Sequence, residues 1–195
     1  IAQRTGGWIG WTATSLRRLA DEVAFVPLHA AGIRIGSDIS IRVLVNRALE
    51  GVIERDLVSR EFARLGRSVG FRQALLDSVL ELRVGGITPD ALHAVTATGS
   101  PARGAAAVLA EYEALLQKHR TADPAGVFEA ALANFDDQAP YCLGGRLLLA
   151  PSIVERGLPG AFLERLVSFG AQRLDCDREG VNATHADMFV ATSPA

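Results

Sequence analysis

Asp175-Cys176-Asp177 sets two carboxylates two positions apart at the end of an expected short strand. The C-terminal ends of strands are where α/β folds gather ligands, so the pair could hold a metal or a phosphate-bearing substrate. Turn or helix-entry chemistry is the competing reading. The histidines, at 29, 93, 119 and 185, stand singly, without the spacing of a zinc site. Asp136-Asp137 follows an expected helix and precedes Pro140, which reads as a solvated loop. Ser100, Ser152 and Ser168 lack a nucleophile elbow. Thr5-Gly6-Gly7-Trp8-Ile9-Gly10 is glycine-rich but carries no lysine or following hydroxyl to reach phosphate and Mg²⁺, and reads as a turn. Asn182-Ala183-Thr184 matches a glycosylation acceptor, which has meaning only in a secreted chain. No catalytic residue, metal site or cofactor is expected from these patterns.

Arginine is the remaining chemistry. Of 20 basic residues only Lys118 is lysine, leaving 19 arginines. Arg60, Arg64 and Arg67 recur at spacings of four and three, so a helical continuation would align them. Guanidinium forks suit phosphate groups, so these three are the candidate phosphate-contacting residues. A solvated helix face balanced by Glu61 is the bland alternative. The net charge of −2 gives no basic footprint over the chain as a whole.

Composition bounds the rest. A chain of 195 residues, 49% apolar, can bury a real core as one domain or slightly more. Disorder is excluded by that apolar content and the small net charge. The longest apolar runs, Ala105–Ala110 and Leu147–Pro151, fall far short of the roughly 18 residues of a membrane span. Cys142 and Cys176 make no disulfide scaffold and suit a reducing cytosol, so the expected compartment is the cytoplasm, with no membrane partner. The chain opens on Ile1 without a signal peptide and reads as a piece of something longer.

The elements follow from periodicity. Leu16, Leu19, Ala20 and Val23 predict a helix through Ala24, broken by Pro27 and Gly32. Ser37 or Asp38 caps a helix over residues 39–55 with a stripe from Ile41 to Ile53. A second stripe runs from Val69 to Val84 and stops at Gly85-Gly86. Thr88-Pro89, Ser100-Pro101 and Asp123-Pro124 each pair a capping side chain with proline at the first helical position. Five helices are thus expected between Asp38 and Phe135. Past Pro140 the apolar run of residues 146–150, a helix from Pro159 with Phe162, Leu163, Leu166 and Val167 inward, and residues 171–176 read as one right-handed βαβ unit. Met188-Phe189-Val190-Ala191 could be another short strand. Two parallel strands cannot cover their own edges, so the rest of the sheet is expected from outside these residues.

Several of these segments resemble the N-terminal helicase-like region of AddB-type subunits of ATP-dependent helicase–nucleases, the bacterial PD-(D/E)XK nuclease family. The resembling residues are Gly6–Trp11 leading into Leu16–Ala20, Phe71–Leu75 with Glu81–Leu92, Ala110–Leu116 through Asp123 to Ala131, and finally Leu147–Ala150, Pro159–Leu166 and Gly170–Leu174. The resemblance implies a mostly helical α/β fold, with a helical subdomain inserted in an incomplete RecA-like parallel sheet. Residues 1–37 would belong to the helicase-like core, 38–138 to the inserted helices, and 139–195 to the βαβ return and tail. It implies DNA and a helicase–nuclease partner subunit as partners, and a scaffold or DNA-binding role in double-strand break repair, with Arg60, Arg64 and Arg67 as the candidate DNA-binding residues. An active helicase ends its strand with an acidic pair for Mg²⁺, whereas Ala150-Pro151-Ser152 stands here, so no ATP hydrolysis is implied at this place. The nuclease motif and iron–sulfur cysteines of such proteins lie downstream of the resembling region, so no cofactor is implied for this chain. Two other readings remain open: a helical protein-interaction module with an α/β cap and no nucleic-acid role, and a small-molecule enzyme acting at Asp175 and Asp177.

Overall fold

The computed structural model describes residues 12–97, 100–143, 147–174 and 190–192. The fold is mostly helical α/β. In chain order the elements are β1 (Thr12–Thr14), α1 (Leu16–Ala30), β2 (Arg34–Ile35), α2 (Asp38–Glu54), α3 (Arg60–Leu65) and α4 (Val69–Val84). They continue with α5 (Pro89–Val95), α6 (Pro101–Lys118), β3 (Thr121–Ala122), α7 (Pro124–Ala133), α8 (Phe135–Cys142), β4 (Leu147–Leu149), α9 (Gly157–Phe169), β5 (Gln172–Arg173) and β6 (Val190–Thr192). Two compact units result, one of residues 28–127 and one of residues 1–27 with 128–195. None of the described helices is long and apolar enough to cross a membrane.

The unit of residues 28–127 is built on α2, α4 and α6. Ser37 starts α2 by accepting the Ser40 N–H at 3.2 Å. The three-four spacing then puts Ile41, Leu44, Val45, Ala48, Leu49 and Val52 inside. They pack with Leu75, Leu76 and Val79 of α4 and with Val108, Leu109, Tyr112, Leu115 and Leu116 of α6. Gly86, at φ +74°, supplies the left-handed turn after α4 that the glycine pair predicts. Thr88 caps α5 through the Ala91 N–H at 3.2 Å. Ser100, by contrast, makes no side-chain cap, and its buried Oγ has no partner among the described residues. The α6 backbone nonetheless starts in an extended cap conformation, with Pro101 at its first position.

The helix count and two helix ends differ from the sequence reading. Among the described residues six helices, not five, lie between Asp38 and Ala133, because residues 60–65 form α3 where a link was expected. Helix α1 does not stop at Ala24: it runs through Pro27 to Ala30. Proline there removes one hydrogen bond near the end of the helix, and the turn at Gly32 (φ +67°) closes it with the Gly32 and Ile33 N–H groups donating to His29 and Leu28 carbonyls. The β2–β3 pair, parallel with Arg34 beside Thr121 and Ile35 beside Ala122, has no counterpart in the sequence reading, since two residues carry no period.

In the other unit, β4 and β5 are parallel and joined by α9, the expected βαβ connection. Leu147 and Leu149 are buried, and Phe162, Leu163 and Leu166 of α9 lie inward, while Val167 is 44% exposed rather than inward. Gly170, at φ +116°, closes α9 in the left-handed conformation. Phe162 meets Phe128 and Phe135 edge-on at 5.8 and 5.7 Å between ring centres. The sheet is not left to outside neighbours on both sides of β4: its order is β1-β6-β4-β5, with β6 antiparallel to both β4 and β1. The chain's own end strands thus take one edge of the expected parallel pair, and β6 includes Val190 and Ala191 of the expected strand at residues 188–191. Pro140 lies inside α8 instead of ending the helical region, and there it removes a single bond from the helix that holds the buried Phe135 and Ala139.

Candidate nucleic-acid interface

Helix α3 positions the candidate arginines. Ser59 accepts the Phe62 N–H at 3.2 Å and starts the helix; Phe62, three residues on, is buried against α6 at Gly104. A Cβ at position 104 would stand 2.5 Å from the Phe62 ring, so only glycine admits this approach. With Phe62 fixed inward, Arg60 and Arg64, four apart, share the opposite, exposed side of α3. Arg67 follows in the link to α4 and is exposed as well.

The three arginines line one cleft of about 460 Å³ together with Arg72, Glu50 and Glu54. Arg72 is already engaged: its Nε donates to the Gly66 carbonyl at 2.7 Å and its guanidinium pairs with Glu50 at 3.1 Å. Arg60, Arg64 and Arg67 have no ion pair among the described residues, and Glu61, which could have balanced them, pairs with none of them. Four arginines against two glutamates leave the cleft with two positive charges in excess. Such a wall attracts an anion and offers several planar donors to phosphate oxygens.

A second polar cluster, which the sequence does not announce, lies inside the same unit. Asp123, only 1% exposed, accepts the Gly126 N–H at 2.7 Å, capping α7 as its place before Pro124 predicts. It also accepts the Tyr112 hydroxyl at 3.2 Å and the Arg83 guanidinium at 3.3 Å, and Arg83 reaches Glu113 at 3.1 Å. Tyr112 lies on α6 and Arg83 at the end of α4, with no spacing that links either to Asp123. Only three separate helices meeting in space make them partners.

Burial, and then the Asp123 carboxylate beside it, push the Tyr112 phenol far above its ordinary value of 10.0, against a smaller opposing pull from Arg83. The folded state therefore favours the neutral phenol. Its contribution is intact below pH 10.0 and is lost as pH rises above that value, at up to about 1.4 kcal/mol per pH unit. Urea unfolding at about pH 8 and about pH 11 is expected to show this alkaline loss in the wild type and a smaller one in Tyr112→Phe. Equal losses in the two proteins would contradict the assignment.

The remaining sequence candidates disperse. Asp136 and Asp137 begin α8 instead of occupying a loop: negative charge is favourable in a first helical turn, and Asp136 accepts from Arg165 at 2.5 Å. Burial, and secondarily Glu22, raise the Cys142 thiol, which keeps it protonated. His93 is exposed on α5, whereas His119, just past α6, has a buried Nε2 without a hydrogen-bond partner among the described residues. Ser168 donates to the Glu164 carbonyl within α9. Among the described residues no group of three or more His, Cys, Asp or Glu side chains could hold a metal ion. Asp175-Cys176-Asp177, His185, the Thr5–Gly10 segment and Asn182–Thr184 lie outside the described residues. Compared with protein-family models, curated proteins and solved structures, the chain matches none.

Proposed function

We propose that this chain is the noncatalytic, DNA-binding portion of a bacterial helicase–nuclease subunit acting in double-strand break repair by recombination. The observation that carries the reading is the cleft in which Arg60, Arg64 and Arg67 stand exposed without carboxylate partners among the described residues. A paired guanidinium must give up its carboxylate before it meets a phosphate; these three have nothing to give up. Membership of a helicase–nuclease rests on the sequence patterns of Phe71–Leu75 and Glu81–Leu92, not on geometry. Ala150-Pro151-Ser152 after β4, where phosphoryl transfer needs a carboxylate for Mg²⁺, supports a role without ATP hydrolysis there. The partners would be DNA and the second subunit of the enzyme, in the cytoplasm.

Fluorescence anisotropy of the intact chain with labelled single strands and duplexes tests the DNA reading. Three neutralised phosphates release enough counterions to give log–log salt slopes of about −2 for single strands and about −3 for duplex. Binding is expected to be weak and to fall along those slopes. Absence of binding at low salt, or binding indifferent to salt, would overturn it.

A further inference from the structure

The buried side of α3 borders a different surface. Phe62, Phe71 and Leu75 form the floor, and Leu82, Ile87 and Leu92 part of the walls, of an apolar groove of about 560 Å³. Phe62 and Phe71 stack edge-to-face at 5.2 Å, which fixes the floor. Along α4 the lining runs from Phe71 to Leu82, twelve residues spanning about 16 Å, three helical turns. Ile87 remains 39% exposed at its edge, and α5, which supplies Leu92, buries none of its own residues fully.

The charge on the groove selects the occupant. Among the described residues Glu81 is the single charged side chain in the lining, and it is exposed and has no ion pair. A long apolar trough with a lone carboxylate complements a helix that presents apolar side chains on one face and a cation beside them. We propose that the groove docks an amphipathic helix of a partner protein, seating its apolar side chains on Phe62, Phe71 and Leu75 and a lysine or arginine against Glu81. The site is separate from the arginine cleft and does not depend on its binding DNA.

The probe is a labelled peptide of about four helical turns with leucines at helical spacing and one lysine, matched by the same peptide with glutamate for lysine. By anisotropy on the intact chain, the lysine peptide is expected to bind at least about tenfold tighter than the glutamate peptide. Glu81→Lys is expected to invert that order, and Ile87→Asp to abolish binding of both. Both substituted residues are exposed, and the peptide exchange needs no substitution in the chain at all. Equal binding of the two peptides, an order unchanged by Glu81→Lys, or no binding of either would overturn the proposal. Self-association of the chain that Ile87→Asp abolishes and the lysine peptide cannot compete away would overturn it too, by making a second copy the occupant.

Discussion

Asp123→Ala is expected to lower the unfolding free energy by about 3–5 kcal/mol, the usual cost of removing one partner from a buried ion pair. With that carboxylate go the cap on the Gly126 N–H, the acceptor for the Tyr112 hydroxyl, and the two bonds from the Arg83 guanidinium at 3.3 and 3.4 Å. The Asp123 side chain is 0% and the Arg83 side chain 13% exposed, so water replaces little of this. Arg83 would fall back on Glu113, itself 28% exposed. Asp123→Asn keeps an oxygen for the cap and removes the charge, so it should cost less. Urea unfolding followed by circular dichroism distinguishes these cases; a decrease below about 1 kcal/mol for Asp123→Ala would place the cluster among ordinary surface pairs.

The same cluster marks where the sequence stops being legible. Helix α2 can be read because its apolar stripe and its Ser37 cap are local facts, and α4 because Gly85-Gly86 follows the last apolar residue. The Asp123 cap is equally local. What Asp123 does besides capping is not: Arg83 and Tyr112 come from α4 and α6, 40 and 11 residues away, and no spacing rule links them. The sheet shows the same divide. The parallel β4–β5 pair follows from a strand–helix–strand pattern, but the partners on the other side of β4 come from opposite ends of the chain, in strands of three residues each. Such short strands carry too little alternation to announce their neighbours.

The arginines are legible in spacing but not in setting. Four and three are helical intervals, yet a helix of only six residues needs the Ser59 cap and the Phe62 anchor at Gly104 to exist at all. Nor does spacing say that Glu61 leaves them unpaired, or that Arg72 joins them from α4 while occupied by Glu50.

Replacing Arg60, Arg64 and Arg67 together by glutamine is expected to weaken DNA binding about a hundredfold at low salt, at about 1 kcal/mol for each arginine–phosphate hydrogen bond removed. The three side chains are exposed and without ion pairs among the described residues, so the unfolding free energy should stay within about 0.5 kcal/mol of wild type. Arg47→Gln, an exposed arginine on α2 outside the cleft, should leave binding unchanged. The decisive quantity is the salt slope of wild type and triple variant on one duplex, measured side by side. Cleft binding predicts a slope shallower by about three in the variant, one for each arginine. An unchanged slope and affinity would mean that DNA, if bound, is held elsewhere, and would contradict the assignment of the cleft.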